Sequence, residues 1–470
     1  MKYFKKQFAQ LVHDTKGTMV VVILVFGAVA TMIIASGISS YAYFEHRASN
    51  RKYDSDLALH IAEAGLNYYK WHLAHNPTDY YDGNGGPSTS TDPYIHDYYD
   101  KDGNAIGKFE LLIEEPEVGS TVVGVESTGY TNWSPHVKRT LYARYGFPSF
   151  ADYTFLSNAN LWFSFSAIVH GVIHSNGGIR FDGETDSWVK SAKETYKYEN
   201  QTHKGVWGGG GPKSFWVYPV PPIDFDSVSS DLAAIRDEAD ASGVHLFSSG
   251  AEGYHVVFSG DTYDLYQVDT RDCYYGEGRW RHKWGGWYWD GEVYCFDIGD
   301  ETLISEDNAI PASGMFFSED NVWVEGTVDG RITIGVGRFP VQEPYLNIII
   351  NNNLVYNAKN DDDVVGLIAQ GDIIVPYETP DTMEINAALL SQYGSNYRPY
   401  YDEDMKAELS IFGSQISYEG GGWKYVNGWG NVISGYEDTI HSYDGNLKYN
   451  PPPGFPVGNV HEILSWEEVE

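Results

Sequence analysis

The stretch from Thr18 to Phe44 reads TMVVVILVFGAVATMIIASGISSYAYF and contains no Asp, Glu, Lys or Arg. A helix that crosses the hydrocarbon of a bilayer needs roughly 20 apolar residues, so this stretch is long enough to span a membrane. Four lysines precede it, at Lys2, Lys5, Lys6 and Lys16. Positive charge before a single span predicts a cytoplasmic N-terminus, with the bulk of the chain on the periplasmic or extracellular side.

The helical pattern continues beyond the apolar run. Apolar residues such as Leu57, Ile61 and Leu66 recur among charged ones, and the first proline is Pro77. One helix over Thr18–His75 would be roughly 85 Å long at about 1.5 Å per residue. Its second half carries an apolar stripe of the kind that packs on a sheet.

A small sheet is expected to cover that stripe. The segment Asn76–Gly103 is rich in Asn, Asp, Gly and Pro, which predicts a loop. Three runs bounded by Gly, Pro or Ser then predict antiparallel strands: Lys108–Glu114, Thr121–Thr128 and Val137–Tyr145. We therefore divide this part into a basic leader (1–17), the long helix (18–76) and a small antiparallel sheet (77–148).

The remainder, 149–470, is predicted to be an acidic β-rich domain. Short β-like runs follow one another about every ten residues, which is typical of stacked β-coils or a β-sandwich. Two helices are predicted within it, Ser229–Ala241 and Thr382–Tyr393, from their helix formers and polar starts. The expected fold class is α+β: a long helix on a small antiparallel sheet, followed by a large mostly-β domain.

An aromatic insertion stands out at residues 263–299. We interpret it as a long hairpin closed near its base by a disulfide between Cys273 and Cys295, the only two cysteines. Exposed Trp and Tyr rings give rigid contact area for sugars or protein partners, and the alternative is that the rings pack on the domain body. The candidate ligand surface comprises Trp280, Trp284, Trp287, Tyr288 and Trp289.

The charge balance limits the possible partners. The formal net charge is −34, from 65 acidic and 31 basic residues. Nucleic acid and anionic lipid both demand a basic surface, so neither is expected as the principal partner.

The N-terminal residues resemble those of a known family. Lys16, Gly17 and Thr18, followed by Met19 and the long apolar helix, resemble a type IV prepilin. The segment Leu57–Leu66, with sequence LALHIAEAGL, is similar to a motif of PilX-type minor pilins. The resemblance implies removal of a leader between Gly17 and Thr18, insertion in the inner membrane, and association with other pilin subunits through the helix.

One position departs from the family pattern. Major pilins carry a glutamate at the fifth mature residue, and Val22 stands at that place here. A glutamate in hydrocarbon is costly and is tolerated where it has a partner, such as the N-terminus of a neighbouring subunit. Since Val22 offers no such pairing, the substitution favours a position at the tip of a filament.

Metal and catalytic motifs are weak. His170 and His174 lie four residues apart in an expected strand, which would place both on one face and make a two-histidine metal site conceivable. Asp361, Asp362, Asp363 and Asp372 are candidates for calcium, although a solvated corner is the commoner role of such a run. We predict no cofactor, and a calcium site cannot be located from the sequence.

No nucleophile, zinc-protease or phosphate-loop motif occurs, so we predict a non-enzymatic protein. The expected function is a minor or tip subunit of a type IV pilus-like filament, contributing to assembly and to surface display or adhesion. Two alternatives are a type II secretion pseudopilin and a membrane-tethered carbohydrate-binding or carbohydrate-active surface protein.

Overall fold

A computed structural model describes residues 2–116, 120, 122–147, 149–225, 228–283, 286–359, 363–427, 430–457 and 462–469. The chain divides into two compact units. The first consists of residues 1–114, 124–144 and 465–470, and the second of residues 115–123 and 145–464. The last residues of the chain thus cluster with the N-terminal unit.

The first unit is built on one long helix, α1, which runs from Lys2 to His75. Every residue from Met19 to Tyr53 is exposed, including the large apolar side chains of the first half. Met19–His75 is the one helix in the described part of the chain that is long and apolar enough to cross a membrane. The helix is therefore compatible with a single-pass membrane anchor.

The second half of α1 packs on a five-stranded sheet. Ala58, Ile61, Ala62, Tyr69 and Leu73 form a fully buried stripe at helical spacing. The sheet contains β1 (Tyr94–Tyr99), β2 (Ala105–Glu114), β3 (Val123–Thr131), β4 (Ser134–Gly146) and the C-terminal strand Glu462–Val469, in that order. The first two pairings, β1 with β2 and β2 with β3, are antiparallel.

Two features of this sheet differ from the sequence prediction. The expected loop Asn76–Gly103 contains β1, in which Tyr94, His96 and Tyr98 half-bury one face. The fifth strand comes from the end of the chain, and an ion pair between Arg139 and Glu468 joins it to β4. The sequence around Glu468 is acidic, so local pattern alone did not place it in a sheet.

The second unit begins with short strands that wind as a coil. In chain order they are β5 (Phe155–Ser157), β6 (Leu161–Phe163), β7 (Ala167–His170), β8 (Ile173–Ser175), β9 (Ile179–Phe181), β10 (Glu184–Thr185), β11 (Val189–Ser191), β12 (Thr195–Tyr198), β13 (Gln201–Lys204), β14 (Val206–Trp207) and β15 (Trp216–Val217). Two single-turn 3₁₀ helices, Phe150–Asp152 and Lys213–Phe215, lie beside them.

Helix α2 (Val228–Ser242) separates these strands from the rest. The strands that follow are β16 (Val244–Leu246), β17 (Gly253–Gly260), β18 (Thr262–Val268), β19 (Arg271–Lys283), β20 (Gly286–Ile298), β21 (Glu301–Ala309), β22 (Met315–Ser318), β23 (Asn321–Val328), β24 (Arg331–Val336), β25 (Ile348–Tyr356), β26 (Val364–Ala369), β27 (Ile373–Ile374), β28 (Thr382–Ser391), β29 (Asn396–Tyr397), β30 (Met405–Ser417), β31 (Lys424–Val426) and β32 (Val432–Ser442). A short helix α3 (Asn446–Tyr449) and the C-terminal strand, now β33, complete the order.

Parallel pairing makes this unit a β-solenoid. One continuous ladder runs β16, β22, β24, β26, β28, β30, β5, β8, β11, β15, and each neighbouring pair is parallel. The spatial order therefore differs from the chain order. The coils formed by residues 155–217 stack on the last coil, which is formed by residues 405–442. After residue 217 the chain passes to the opposite end of the solenoid, where α2 is followed by β16.

The main ladder is buried on both faces. Phe316, Ile334 and Leu367 point into the solenoid core, while Phe317, Ile368 and Leu390 belong to a second apolar cluster that includes α2. Residues outside the ladder strands, Ile223, Phe225, Leu447 and Phe455, also belong to this second cluster. Since both faces are covered, these strands read in sequence as continuous apolar runs.

The double burial explains a wrong prediction. The segment Thr382–Tyr393 was expected to be a helix, and Thr382–Ser391 forms strand β28. The run Ala387–Leu390 is buried throughout, because it has parallel neighbours on both sides and apolar layers above and below. The helix-forming residues at these positions therefore do not indicate a helix. The other expected helix is present as α2.

The fold class predicted from sequence is confirmed: a long N-terminal helix on a small sheet precedes a large, mostly-β region. The spacing of the strands in sequence was compatible with stacked β-coils or a β-sandwich. The parallel pairing of the strands shows that the coils are stacked as a solenoid.

Candidate functional site

The exposed half of α1 is the first candidate surface. Among its small residues, Gly27 and Gly37 have no heavy atom within 4 Å of the place where a Cβ would stand. Gly17 and Thr18 lie within the helical range of α1, but their side chains are outside the described part of the structure. Cleavage between them remains a prediction.

The buried half of α1 packs closely on the sheet because glycine lies at the contact. A Cβ on Gly129 would lie 2.2 Å from the Ala58 carbonyl oxygen and 2.4 Å from the Ala62 nitrogen. Only a residue without a side chain permits this approach of strand β3 to the helix. At one edge of the contact, the Asp54 carboxylate accepts hydrogen bonds from Trp133 Nε1 at 2.9 Å and Ser134 Oγ at 2.6 Å. These bonds lower the pKa of Asp54.

Within the aromatic insertion, β19 and β20 form a separate two-stranded sheet, whereas residues 263–268 lie in β18 of the solenoid sheet. Cys273 and Cys295 form a disulfide across it. The register pairs Trp280 with Trp289, Arg281 with Tyr288, and His282 with Trp287. Of the predicted ligand surface, only the side chain of Trp289 is described, and its Nε1 donates to the Glu292 carbonyl at 2.9 Å. Trp284 lies outside the described residues, as do the side chains of Trp280, Trp287 and Tyr288.

The base of the hairpin is fixed to the solenoid. Trp323 is fully buried and donates from Nε1 to the Phe296 carbonyl at 2.6 Å. The Asp297 carboxylate accepts hydrogen bonds from the backbone nitrogens of Tyr377 and Glu378, at 3.2 and 2.6 Å. Burial is the main cause that raises the pKa of Asp297 to about 6. The hairpin thus projects from an anchored base.

A second site, which the sequence did not predict, lies where the first and last coils of the solenoid meet. It is a cavity of about 90 Å³. Its apolar walls include Phe155, Leu161, Phe163, Trp423 and Val426. One water needs roughly 10–15 Å³ of such space, so the cavity has room for a small organic molecule.

Three polar side chains form a chain of hydrogen bonds in the cavity wall. Trp423 Nε1 donates to Gln415 Oε1 at 2.9 Å, and Gln415 Nε2 lies 2.9 Å from His441 Nδ1. Since an indole nitrogen can only donate, Gln415 must accept there and donate to His441. The neutral His441 ring then carries its proton on Nε2. Burial, followed by the charge of Lys424, lowers the pKa of His441 to about 3.

A lysine also lines the cavity. Lys424 Nζ donates to Ser166 Oγ at 2.7 Å and to the Glu437 carbonyl at 2.9 Å. No carboxylate lies within ion-pair distance of Lys424 among the described residues. Burial lowers its pKa to about 8. An ammonium has three N–H donors, and among the described residues two of those of Lys424 have acceptors.

The candidate metal ligands do not converge. His170 ends β7 and His174 lies in β8, because Gly171, at a φ of +118°, turns the chain between them; the prediction of one shared strand face was wrong. His170 pairs with Asp186, and His174 bonds Asn176. Within the described residues, no group of three or more His, Cys, Asp or Glu side chains is arranged to hold a metal ion.

The calcium candidates have other roles where they are described. Asp363 accepts the backbone N–H groups of Gly330 and Ala358, both at 2.8 Å. Asp372 accepts the backbone N–H of Ser395 at 2.7 Å. Asp361 and Asp362 lie outside the described residues. The two described carboxylates therefore stabilise corners of the solenoid.

These features define a chain with a candidate membrane-spanning helix, a helix-and-sheet unit and a β-solenoid that carries an anchored aromatic hairpin. No protein-family model matches it, and no curated protein sequence is significantly similar. Among solved structures, it matches the competence-associated pilin ComZ from Thermus thermophilus with a TM-score of 0.32 and 13% sequence identity. The match covers 88% of this chain and 97% of ComZ.

Proposed function

We propose that this chain is a non-enzymatic structural subunit of a type IV pilus-like filament. The observation that carries the proposal is the continuous apolar surface of α1, exposed from Met19 to Phe44, in the segment whose sequence resembles a prepilin. An apolar helix surface of this length is stable in a bilayer or against other helices. The same surface would serve as the anchor before assembly and as the contact with other subunits afterwards.

The small residues of α1 support packing between helices. Gly27 and Gly37 are open to approach, and Ala28, Ala30 and Ala35 lie between them in sequence. Small residues let helix backbones come close in an apolar environment. Val22, in place of the family glutamate, favours a minor subunit at the filament tip. There the solenoid and its aromatic hairpin would be displayed for adhesion.

Leader processing gives the first test. Coexpression with a prepilin peptidase should yield a mature chain whose intact mass begins at Thr18. Gly17→Val should block the cut, whereas Gly27→Val, the same change ten residues along the helix, should leave it intact. A chain that retains Met1 with active peptidase would instead favour a tethered surface protein.

Assembly gives the second test. Gly27→Leu and Gly37→Leu should remove the chain from the sheared filament fraction while it remains in the membrane. Val29→Leu, which changes an already large apolar residue, is the matched control and should assemble normally. Equal incorporation of all three variants would contradict a role for α1 in filament packing. Loss of secretion of a substrate, with filaments intact, would favour a secretion pseudopilin.

A further inference from the structure

We propose that the cavity between the first and last coils of the solenoid binds a small organic carboxylate with an apolar body. The inference is independent of the filament role, because it concerns a different surface of the molecule. Its basis is the pattern of hydrogen-bond donors, the absence of acids from the described lining, and the apolar walls.

The described side chains that line the cavity include a cation but no acid. The chain has 65 acidic residues, yet the described lining contains neither Asp nor Glu. It does contain Lys424, whose ammonium has two neutral hydrogen-bond partners among the described residues, Ser166 and the Glu437 carbonyl. The Lys424 ammonium is half-buried, the charge of Asp438 acts on it favourably, and a carboxylate bound in the cavity would add a second favourable charge.

Two further side chains of the lining, Ser164 and His441, can donate a hydrogen bond. The Ser164 hydroxyl oxygen is buried and has no hydrogen-bond partner among the described residues. His441 carries its proton on Nε2, because Gln415 occupies Nδ1. Together with Lys424, the lining therefore has three side chains that can donate a hydrogen bond, and a carboxylate presents two oxygens that accept several.

The walls define the rest of the ligand. Phe155, Leu161 and Phe163 come from the first coil, and Trp423 and Val426 come from the last. Phe155 meets the His441 ring edge-to-face at 4.8 Å, which fixes one side of the space. Apolar walls with a few convergent polar groups are typical of small-molecule sites. The volume of about 90 Å³ suits one ring or a short aliphatic chain.

Calorimetric titration of the full-length protein in detergent at pH 6.5 tests the proposal, with benzoate as the probe. Benzoate should bind, and benzamide, which has the same shape without the charge, should bind at least about tenfold more weakly. Absence of benzoate binding at millimolar concentration, or equal binding of benzamide, would overturn the proposal.

Substitutions locate the site. Lys424→Gln should reduce benzoate affinity by about tenfold or more, whereas Lys101→Gln, which removes the same charge from an exposed loop, should have no effect. Ser164→Ala removes one hydroxyl without adding volume, and should weaken benzoate several-fold even if Lys424→Gln proves unstable. Unchanged affinity in the folded Ser164→Ala and Lys424→Gln proteins would place the binding elsewhere and refute the site. Binding of a short oligonucleotide in preference to benzoate would also refute it.

Discussion

Ser157 and Ser417, 260 residues apart in the chain, lie opposite each other in one parallel ladder of the solenoid. They belong to a column that continues through Ser391 on one side and through Ser175 and Ser191 on the other. Several of these hydroxyls accept the backbone N–H two residues later, as Ser175 does from Gly177 at 2.9 Å. Each such serine ends a strand and begins a corner.

The stacking of the first coil on the last can be tested by cross-linking in the neighbouring ladder, where β7 pairs with β32. Ile168 of β7 and Ile440 of β32 are directly paired, and Ile168 is 38% exposed. Neighbouring strands are about 4.8 Å apart, within the roughly 4.4–6.8 Å that a disulfide spans between Cα atoms. The Ile168→Cys, Ile440→Cys protein should cross-link on mild oxidation, as peptide mass spectrometry would detect.

A matched pair controls for chance oxidation. Ile433 lies on the same strand as Ile440, seven residues away, which is roughly 20 Å along a strand. Ile168→Cys with Ile433→Cys should therefore remain reduced. Equal cross-linking of both pairs would mean that the register between β7 and β32 is different.

The contact between α1 and β3 depends on Gly129. We expect Gly129→Val to destabilise the first unit by roughly 1–3 kcal/mol or more, since the added carbons meet the backbone of Ala58 and Ala62. Hydrogen exchange of the β2 and β3 amides in the full chain measures this locally. Gly85→Val, at a glycine with no atom within 4 Å, should leave exchange unchanged. Unaltered exchange in Gly129→Val would contradict the packing described.

His441 should make the solenoid sensitive to acid. Its pKa is lowered from 6.5 to about 3, so the unfolded state binds more protons than the folded state between these pH values. Stability should thus fall as the pH decreases from about 6.5 towards 3, by roughly 3 kcal/mol between pH 7 and pH 4. The urea midpoint of tryptophan fluorescence at the two pH values measures it.

His441→Gln should remove most of that loss, because glutamine does not titrate and its amide oxygen still accepts from Gln415. His136→Gln, at an exposed position, should retain the full acid effect. The carboxylates contribute equally to all three proteins, so only the differences are interpreted. If His441→Gln loses as much stability as the unchanged protein, the histidine is not the cause.

The disulfide should act locally. Cys273→Ser with Cys295→Ser opens a loop of sequence separation 22 and should cost the hairpin about 3 kcal/mol. Because β19 and β20 form their own sheet, the unfolding of the solenoid should change little. Limited proteolysis should accelerate between residues 273 and 295 alone. Collapse of the whole solenoid in this variant would show that the hairpin is part of its core.

Several features could be predicted from the sequence because the residues that cause them lie close together in the chain. The apolar run from Thr18 to Phe44 predicts a membrane-spanning helix by itself, and the clustered helix formers of Ser229–Ala241 predict α2. The aromatic insertion and its two cysteines also lie within one short stretch. In contrast, β28 was misread, because its apolar residues are buried by strands and layers from elsewhere in the chain.

The cavity could not be predicted at all. Phe155 and Phe163 are some 260 residues from Gln415, Trp423 and Lys424 in sequence, and no motif links them. The serines at the strand ends, in LSNAN, HSNGG and KSAKE, were the available signal for stacked corners. They indicate that coils repeat, but they do not say which coil stacks on which.

The sequence by itself thus determined the candidate membrane helix, the acidic character and the β-rich nature of this protein, since hydrophobic length, charge and strand propensity act over a few residues. The tertiary structure alone decided the permuted order of the coils, the strand conformation of β28 and the cavity between the first and last coils. The physical reason is that parallel pairing between distant segments depends on which surfaces are left to be buried once the whole chain has folded.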